Sequence, residues 1–168
     1  MTNDIRQSTV RQASLLVLYS YHHKNTEMIA KVISGVLGAQ IVAPEDANLN
    51  DLQEADLIGF GSGIYGAKHH DAVLDLAQRL PRVTDKRAFI FSTSAIITQS
   101  KVASDHAALR DILTSKGYVI VDEFSCKGFN TNSFLKFIGG MNKGRPNAED
   151  FNNARAFAVN LKQKTADS

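Results

Sequence analysis

The chain has 168 residues, of which 43% are hydrophobic and 21% charged, with 19 basic against 17 acidic side chains for a net charge of +2. That length suits one domain able to bury about two-thirds of its unfolded surface. The composition excludes a fibre, a disordered chain and a disulfide scaffold, and the weak, unclustered charge gives no case for nucleic acid.

In chain order, residues 1–13 are polar and lack the apolar core of a secretory signal, so they read as a flexible N-terminal tail before a domain spanning 14–168. Residues 15–19 form a continuous apolar run. Comparable runs follow at 55–60, 88–91 and 118–121, with a weaker one at 40–42. Unbroken runs of this length predict strands buried on both faces, which belong to a parallel sheet. Between them lie stripes at helical spacing: Met28 to Val36, Val73 to Leu80 before Pro81, Ala107 to Leu113 before Gly117, and Phe151 to Leu161. Residues 43–54 leave room for a single helical turn around Leu52, near the minimum for a crossover between parallel strands. The alternation predicts an α/β doubly wound sandwich with a five-stranded parallel sheet of order 2-1-3-4-5. Residues 125–147 read as a long, glycine-containing connection of the kind that is usually functional or mobile. No apolar run is long enough to span a bilayer, and the single cysteine, Cys126, excludes an intrachain disulfide. A cytoplasmic protein without a membrane span is expected.

Three segments after strands carry the candidate chemistry. The first is Ser20-Tyr21-His22-His23-Lys24-Asn25-Thr26, running into the first helix. First-turn N–H groups have no partner inside a helix and the helix dipole is positive there, so a phosphate fits. The hydroxyls of Ser20 and Thr26, the Asn25 amide and the two imidazoles add donors. Ordinary capping by Asn25 or Thr26 is the alternative. Neither G-x-G-x-x-G nor G-x-x-x-x-G-K-[ST] occurs, which argues against a dinucleotide or a nucleoside triphosphate in this loop. The second segment is Gly61-Ser62-Gly63-Ile64-Tyr65-Gly66 and the third is Ser92-Thr93-Ser94-Ala95, both read as turns. In an open parallel sheet, turns on the strands' carboxyl edge surround the ligand crevice.

From about Leu15 to Leu161 the sequence resembles the flavodoxin family. Asn25-Thr26-Glu27 stands where that family ends its hydroxyl-rich first loop in Gly-Asn-Thr-Glu. The resemblance implies one bound FMN. Its phosphate would lie on Ser20, Tyr21, His22, His23, Lys24, Asn25 and Thr26. Its ring would lie against Ser62, Gly63, Ile64, Tyr65 and Gly66 on one side and Thr93, Ser94 and Ala95 on the other. Tyr65 matches the family's stacking aromatic, and Gly66 the glycine whose peptide turns over as the flavin gains an electron and a proton. The implied function is electron transfer between redox partner proteins. The alternatives are an FMN-dependent NAD(P)H:quinone-type oxidoreductase and a flavin-free binding module on the same fold. No side chain is assigned a catalytic role and no metal is expected, because the flavin would carry the chemistry.

Several positions depart from the family. Lys24 replaces a glycine, at a cost of about 1 kcal/mol if that glycine uses a positive φ. His22 and His23 replace hydroxyl residues. Ile96, Ile97 and Thr98 follow the third segment in place of a second aromatic and an acid. Phe124, Cys126, Phe129, Phe134 and Phe137 could cover that open side or pack as a satellite core, and packing is the expectation.

Overall fold

The computed structural model describes residues 14–131 and 133–166, so the N-terminal segment 1–13 and the side chain of Phe134 lie outside the described residues. The elements are β1 (Ser14–Tyr19), α1 (Asn25–Leu37), β2 (Gln40–Val42), α2 (Leu49–Glu54), β3 (Leu57–Tyr65), β4 (Lys68–His69), α3 (Asp71–Arg79), β5 (Lys86–Ser94), α4 (Gln99–Ser115), β6 (Tyr118–Lys127), a 3-10 turn at Ser133–Ile138, and α5 (Ala148–Ala166). The parallel sheet runs β2-β1-β3-β5-β6. With the two-residue β4 set aside, this is the expected order 2-1-3-4-5.

Each face of the sheet buries its own core. Leu15, Val17, Ile58, Phe60, Ala88 and Ile90 pack against Leu52 of α2, Val73 and Leu76 of α3, and Leu109 and Leu113 of α4. Leu16, Leu18, Leu57, Phe89, Phe91 and Cys126 pack against Ile29 and Ile33 of α1, and Ala154, Phe157 and Leu161 of α5. Consecutive residues therefore point to opposite cores, which is why the strands read as unbroken apolar runs. The single turn around Leu52 is α2, with Leu52 buried.

The strands run further toward the carboxyl edge than the sequence suggests. β3 continues through Gly61 to Tyr65 and then folds back on β4, pairing Ile64 with His69 and Tyr65 with Lys68. Gly66 (φ 57) and Ala67 (φ 62) form the two-residue turn, the pattern of a type I′ hairpin. β5 continues to Ser94, with Ser62 beside Ser92 and Gly63 beside Thr93. The expected second and third turns are thus largely strand. Phe124 and Cys126 likewise belong to β6 and pack in the core, as does Phe157 opposite Phe124.

Candidate functional site

At the carboxyl ends of β1, β3 and β5, where the strand order reverses, the chain leaves an open cleft. Its first wall is the β1–α1 loop. His23 (φ 54) and Lys24 (φ 52) both adopt the left-handed conformation, and Lys24 is the N-cap of α1. A lysine offers no oxygen to accept a first-turn N–H, so α1 begins without a side-chain cap from that position. Ser20 Oγ accepts the Glu27 N–H at 3.2 Å and keeps its own hydroxyl proton for another acceptor. The expected strain at Lys24 is therefore present. Lys24→Gly should raise the unfolding free energy by about 1 kcal/mol, read from the urea midpoint, because glycine adopts this conformation freely. The exposed ion pair from Lys24 to Glu27, at 3.7 Å, offsets little of that gain.

Cross-links hold the loop against its neighbours. Thr26 Oγ1 meets Thr93 Oγ1 at 2.8 Å in a buried contact between α1 and β5. Asn25 Nδ2 donates to the Phe129 carbonyl at 2.8 Å, and His23 Nε2 lies 2.8 Å from Thr131 Oγ1. The His23 ring packs on Phe129 with centroids 4.6 Å apart. The second wall is the end of β3. Tyr65 meets the edge of His70, whose other side stacks on Tyr19 at 3.6 Å. Burial, with Tyr19 beside it, raises the pKa of the Tyr65 phenol.

Eleven of the fifteen expected site residues line this cleft: Ser20, His22, His23, Asn25, Thr26, Gly63, Ile64, Tyr65, Thr93, Ser94 and Ala95. Four do not. Tyr21 points outward at 70% exposure, Lys24 turns to Glu27, Gly66 sits in the hairpin turn, and Ser62 is fully buried beneath the wall. Three further residues, Gly128, Phe129 and Asn130, complete the lining from the segment after β6. Gly128 lies so close to α1 that an added Cβ would stand 2.8 Å from Asn25 Nδ2. Of the aromatics considered as a cover, Phe129 reaches the cleft while Phe137 stands 80% exposed.

A buried polar network supports the β3 wall. Ser62 Oγ donates to the Gly63 carbonyl at 2.7 Å and accepts the His70 N–H at 3.0 Å. Its one proton being used, His69 Nδ1 at 2.9 Å is the donor to Ser62, which leaves His69 Nε2 unprotonated. That nitrogen is buried without a hydrogen-bond partner, and burial followed by nearby His106 pushes the His69 pKa down to about 3. His106 is fully buried, with Nε2 at 2.8 Å from Ser92 Oγ and Nδ1 at 2.7 Å from Glu123 Oε2. Burial would raise Glu123, but hydrogen bonds from Arg110 and His106 hold its carboxyl at about 2. Burial pushes the Cys126 thiol up to about 12. Among the described residues no group of three or more His, Cys, Asp or Glu is placed to hold a metal ion, and no helix is long and apolar enough to cross a membrane.

Comparison with known proteins agrees with this architecture. The model of the flavodoxin domain matches residues 16–127. An uncharacterized protein of Methanocaldococcus jannaschii is 44% identical over 147 residues, covering 87% of this chain and 96% of its own length. Among solved structures, oxidised flavodoxin 2 from Bacillus cereus superposes with a TM-score of 0.68 at 17% identity, over 90% of this chain and 99% of that one. The Fusobacterium nucleatum flavodoxin bound to flavin mononucleotide gives 0.62 at 13% identity, over 90% and 98%. Identities this low establish a shared fold, while the domain match covers most of the chain. The chain belongs to the flavodoxin family.

Proposed function

We propose that the chain binds one FMN in this cleft and passes electrons between redox partner proteins in the cytoplasm. The observation that carries the reading is the amino end of α1. It opens into the cleft without a side-chain cap from its N-cap residue, beside Ser20, His22, His23, Asn25 and Thr26. Orphan N–H groups, a positive dipole end and clustered donors suit a phosphate dianion. The 13-residue length of α1 gives that dipole its full strength.

The donor set fits the rest of the cofactor as well. Tyr65 offers an aromatic face on one side of the cleft, and the narrow backbone of Gly63 and Ala95 allows close approach. The His23 ring packs on Phe129 at the edge of the cleft. When bound, the flavin supplies one- and two-electron chemistry that the side chains lack. The protein's part is to hold the phosphate, present donors to the ring and keep its surroundings dry. A poorly hydrated, stacked site disfavours added negative charge, so the potential of bound FMN should lie below that of the free cofactor.

Ser20→Ala tests the phosphate assignment. Losing one hydrogen bond to a charged group costs roughly 1.5–3 kcal/mol, so the dissociation constant for FMN should rise about tenfold or more. Quenching of FMN fluorescence on titration reads it. An unchanged constant would place the phosphate elsewhere.

A further inference from the structure

The charge of this molecule is distributed unevenly. The segments framing the cleft, 20–26, 61–70, 92–98 and 124–148, contain six of the nineteen Lys and Arg residues, and the carboxylates at their borders, Glu27, Asp71, Glu149 and Asp150, pair with Lys24, Lys68 and Arg145. The remainder of the chain holds 13 basic against 17 acidic residues, a net charge of −4. The loop after β2 adds Glu45 and Asp46 to the same edge, at its far end. Lys68 and Arg145 are spoken for by Asp71 and Asp150. Lys127, Lys136 and Lys143 are in no ion pair among the described residues; Lys127 adjoins Gly128 and Lys143 adjoins Asn142, whose amide reaches both the Gly128 and Ala95 carbonyls.

The segments carrying or adjoining these lysines also hold exposed apolar residues. Phe137 is 80% exposed, Ile138 69%, Ile96 54% and Met141 37%. They belong to one constructed surface. Asn142 Nδ2 donates to the Ala95 carbonyl at 2.8 Å, Gly140 N donates to Leu135 O at 2.7 Å, and Asn130 bridges to Met141. These bonds fasten the 3-10 turn and the following segment beside the end of β5. The Lys136 ammonium sits 5.1 Å from the centre of the Phe137 ring. An apolar centre inside a charged rim is the anatomy of a docking surface, and clusters of exposed large apolar residues are uncommon without one.

We propose that this face docks a redox protein whose own surface is acidic, with Phe137 and Ile138 as the apolar anchor and Lys127, Lys136 and Lys143 as the steering charges. The proposal builds on the electron-transfer reading above and names the chemistry of the partner. Three lysines without an acidic partner around an apolar centre would draw an acidic partner to this face and repel a basic one.

The test uses two probe proteins, the acidic soluble haem domain of cytochrome b5 and basic cytochrome c. The FMN-loaded protein is reduced with dithionite, freed of excess reductant and mixed with each oxidised probe at low and high ionic strength. The rate to cytochrome b5 should fall on the order of tenfold as salt screens the attraction, while the rate to cytochrome c should hold or rise. The triple variant Lys127→Glu/Lys136→Glu/Lys143→Glu should reverse both trends. Phe137→Ser/Ile138→Ser should slow transfer to cytochrome b5 with its salt dependence intact. A flavin-independent arm follows backbone amide shifts of the ¹⁵N-labelled protein, as purified, on adding cytochrome b5 at low salt. Shifts at residues 96, 127 and 136–143 support the docking face. Shifts elsewhere, no shifts, faster transfer to cytochrome c, or cosedimentation with phosphatidylserine vesicles alone would overturn it. Failure of the protein to take up FMN, with the amide shifts present, would count against the cofactor reading and leave the surface standing.

Discussion

Replacing Gly61 with alanine should lower the unfolding free energy by about 3 kcal/mol and weaken FMN binding with it. Gly61 sits beside Phe91 in the β3–β5 register, and a Cβ built there would stand 2.2 Å from two atoms of the ring. Gly59 repeats the arrangement with Phe89 at 2.3 Å. Both rings are fully buried against α1 and α5, so neither can swing aside into solvent. The new methyl must push β3 away from β5 or force Phe91 off its rotamer. Displacing β3 also moves Gly63 and Tyr65, which the same strand delivers to the cleft. Urea denaturation and FMN titration of the same preparation read both effects. A stability loss below about 0.5 kcal/mol would show that the strand accommodates the methyl group without shifting.

Stability should also fall by about 2 kcal/mol between pH 7 and pH 5, and His69 should account for most of that loss. The folded chain keeps His69 neutral at both pH values, because burial lowers its pKa to about 3. The unfolded chain takes up a proton on this residue below its ordinary 6.5, so acid favours unfolding. The loss begins near pH 6.5 and continues to about pH 3. Glu123 acts in a different window. Its carboxyl is held at about 2 in the fold, so its contribution is complete above its ordinary 4.5 and is lost only as the pH falls from there toward 2. His69→Asn keeps an amide N–H where the imidazole Nδ1–H faces Ser62 and removes the titration. Denaturation of the two proteins at pH 7 and pH 5 should show the wild-type difference shrink in the variant. Equal shifts in both would assign the acid sensitivity to other groups.

The architecture was legible in the sequence because burial on both faces leaves continuous apolar runs, and residues 15–19, 57–60 and 88–91 show them. The loop before α1 was legible as a candidate site because Asn25-Thr26-Glu27 is a local motif, and five of its seven expected residues line the cleft. What sequence could not show depends on partners distant in the chain. Residues 61–65 and 92–94 look like turns because glycine and serine are poor strand formers. They are strand because Phe91 fills the space a side chain at Gly61 would occupy and because Ser62 and Gly63 align with Ser92 and Thr93. Gly128, Phe129 and Asn130 join the cleft through a hydrogen bond from Asn25, 104 positions earlier than Phe129. A glycine followed by an aromatic just past a strand is the one local hint of that wall. The buried pair of His69 and His106 had no signal at all, since their rings meet at 5.0 Å only after β4 folds onto α4.

One measurement bears on the cofactor most directly: an absorption titration of the purified protein with FMN, paired with Ser20→Ala. One equivalent should bind, with flavin bands shifted from those of free FMN, and the variant should take up the cofactor more weakly. Bands that stay at their free-solution positions at every ratio would contradict this.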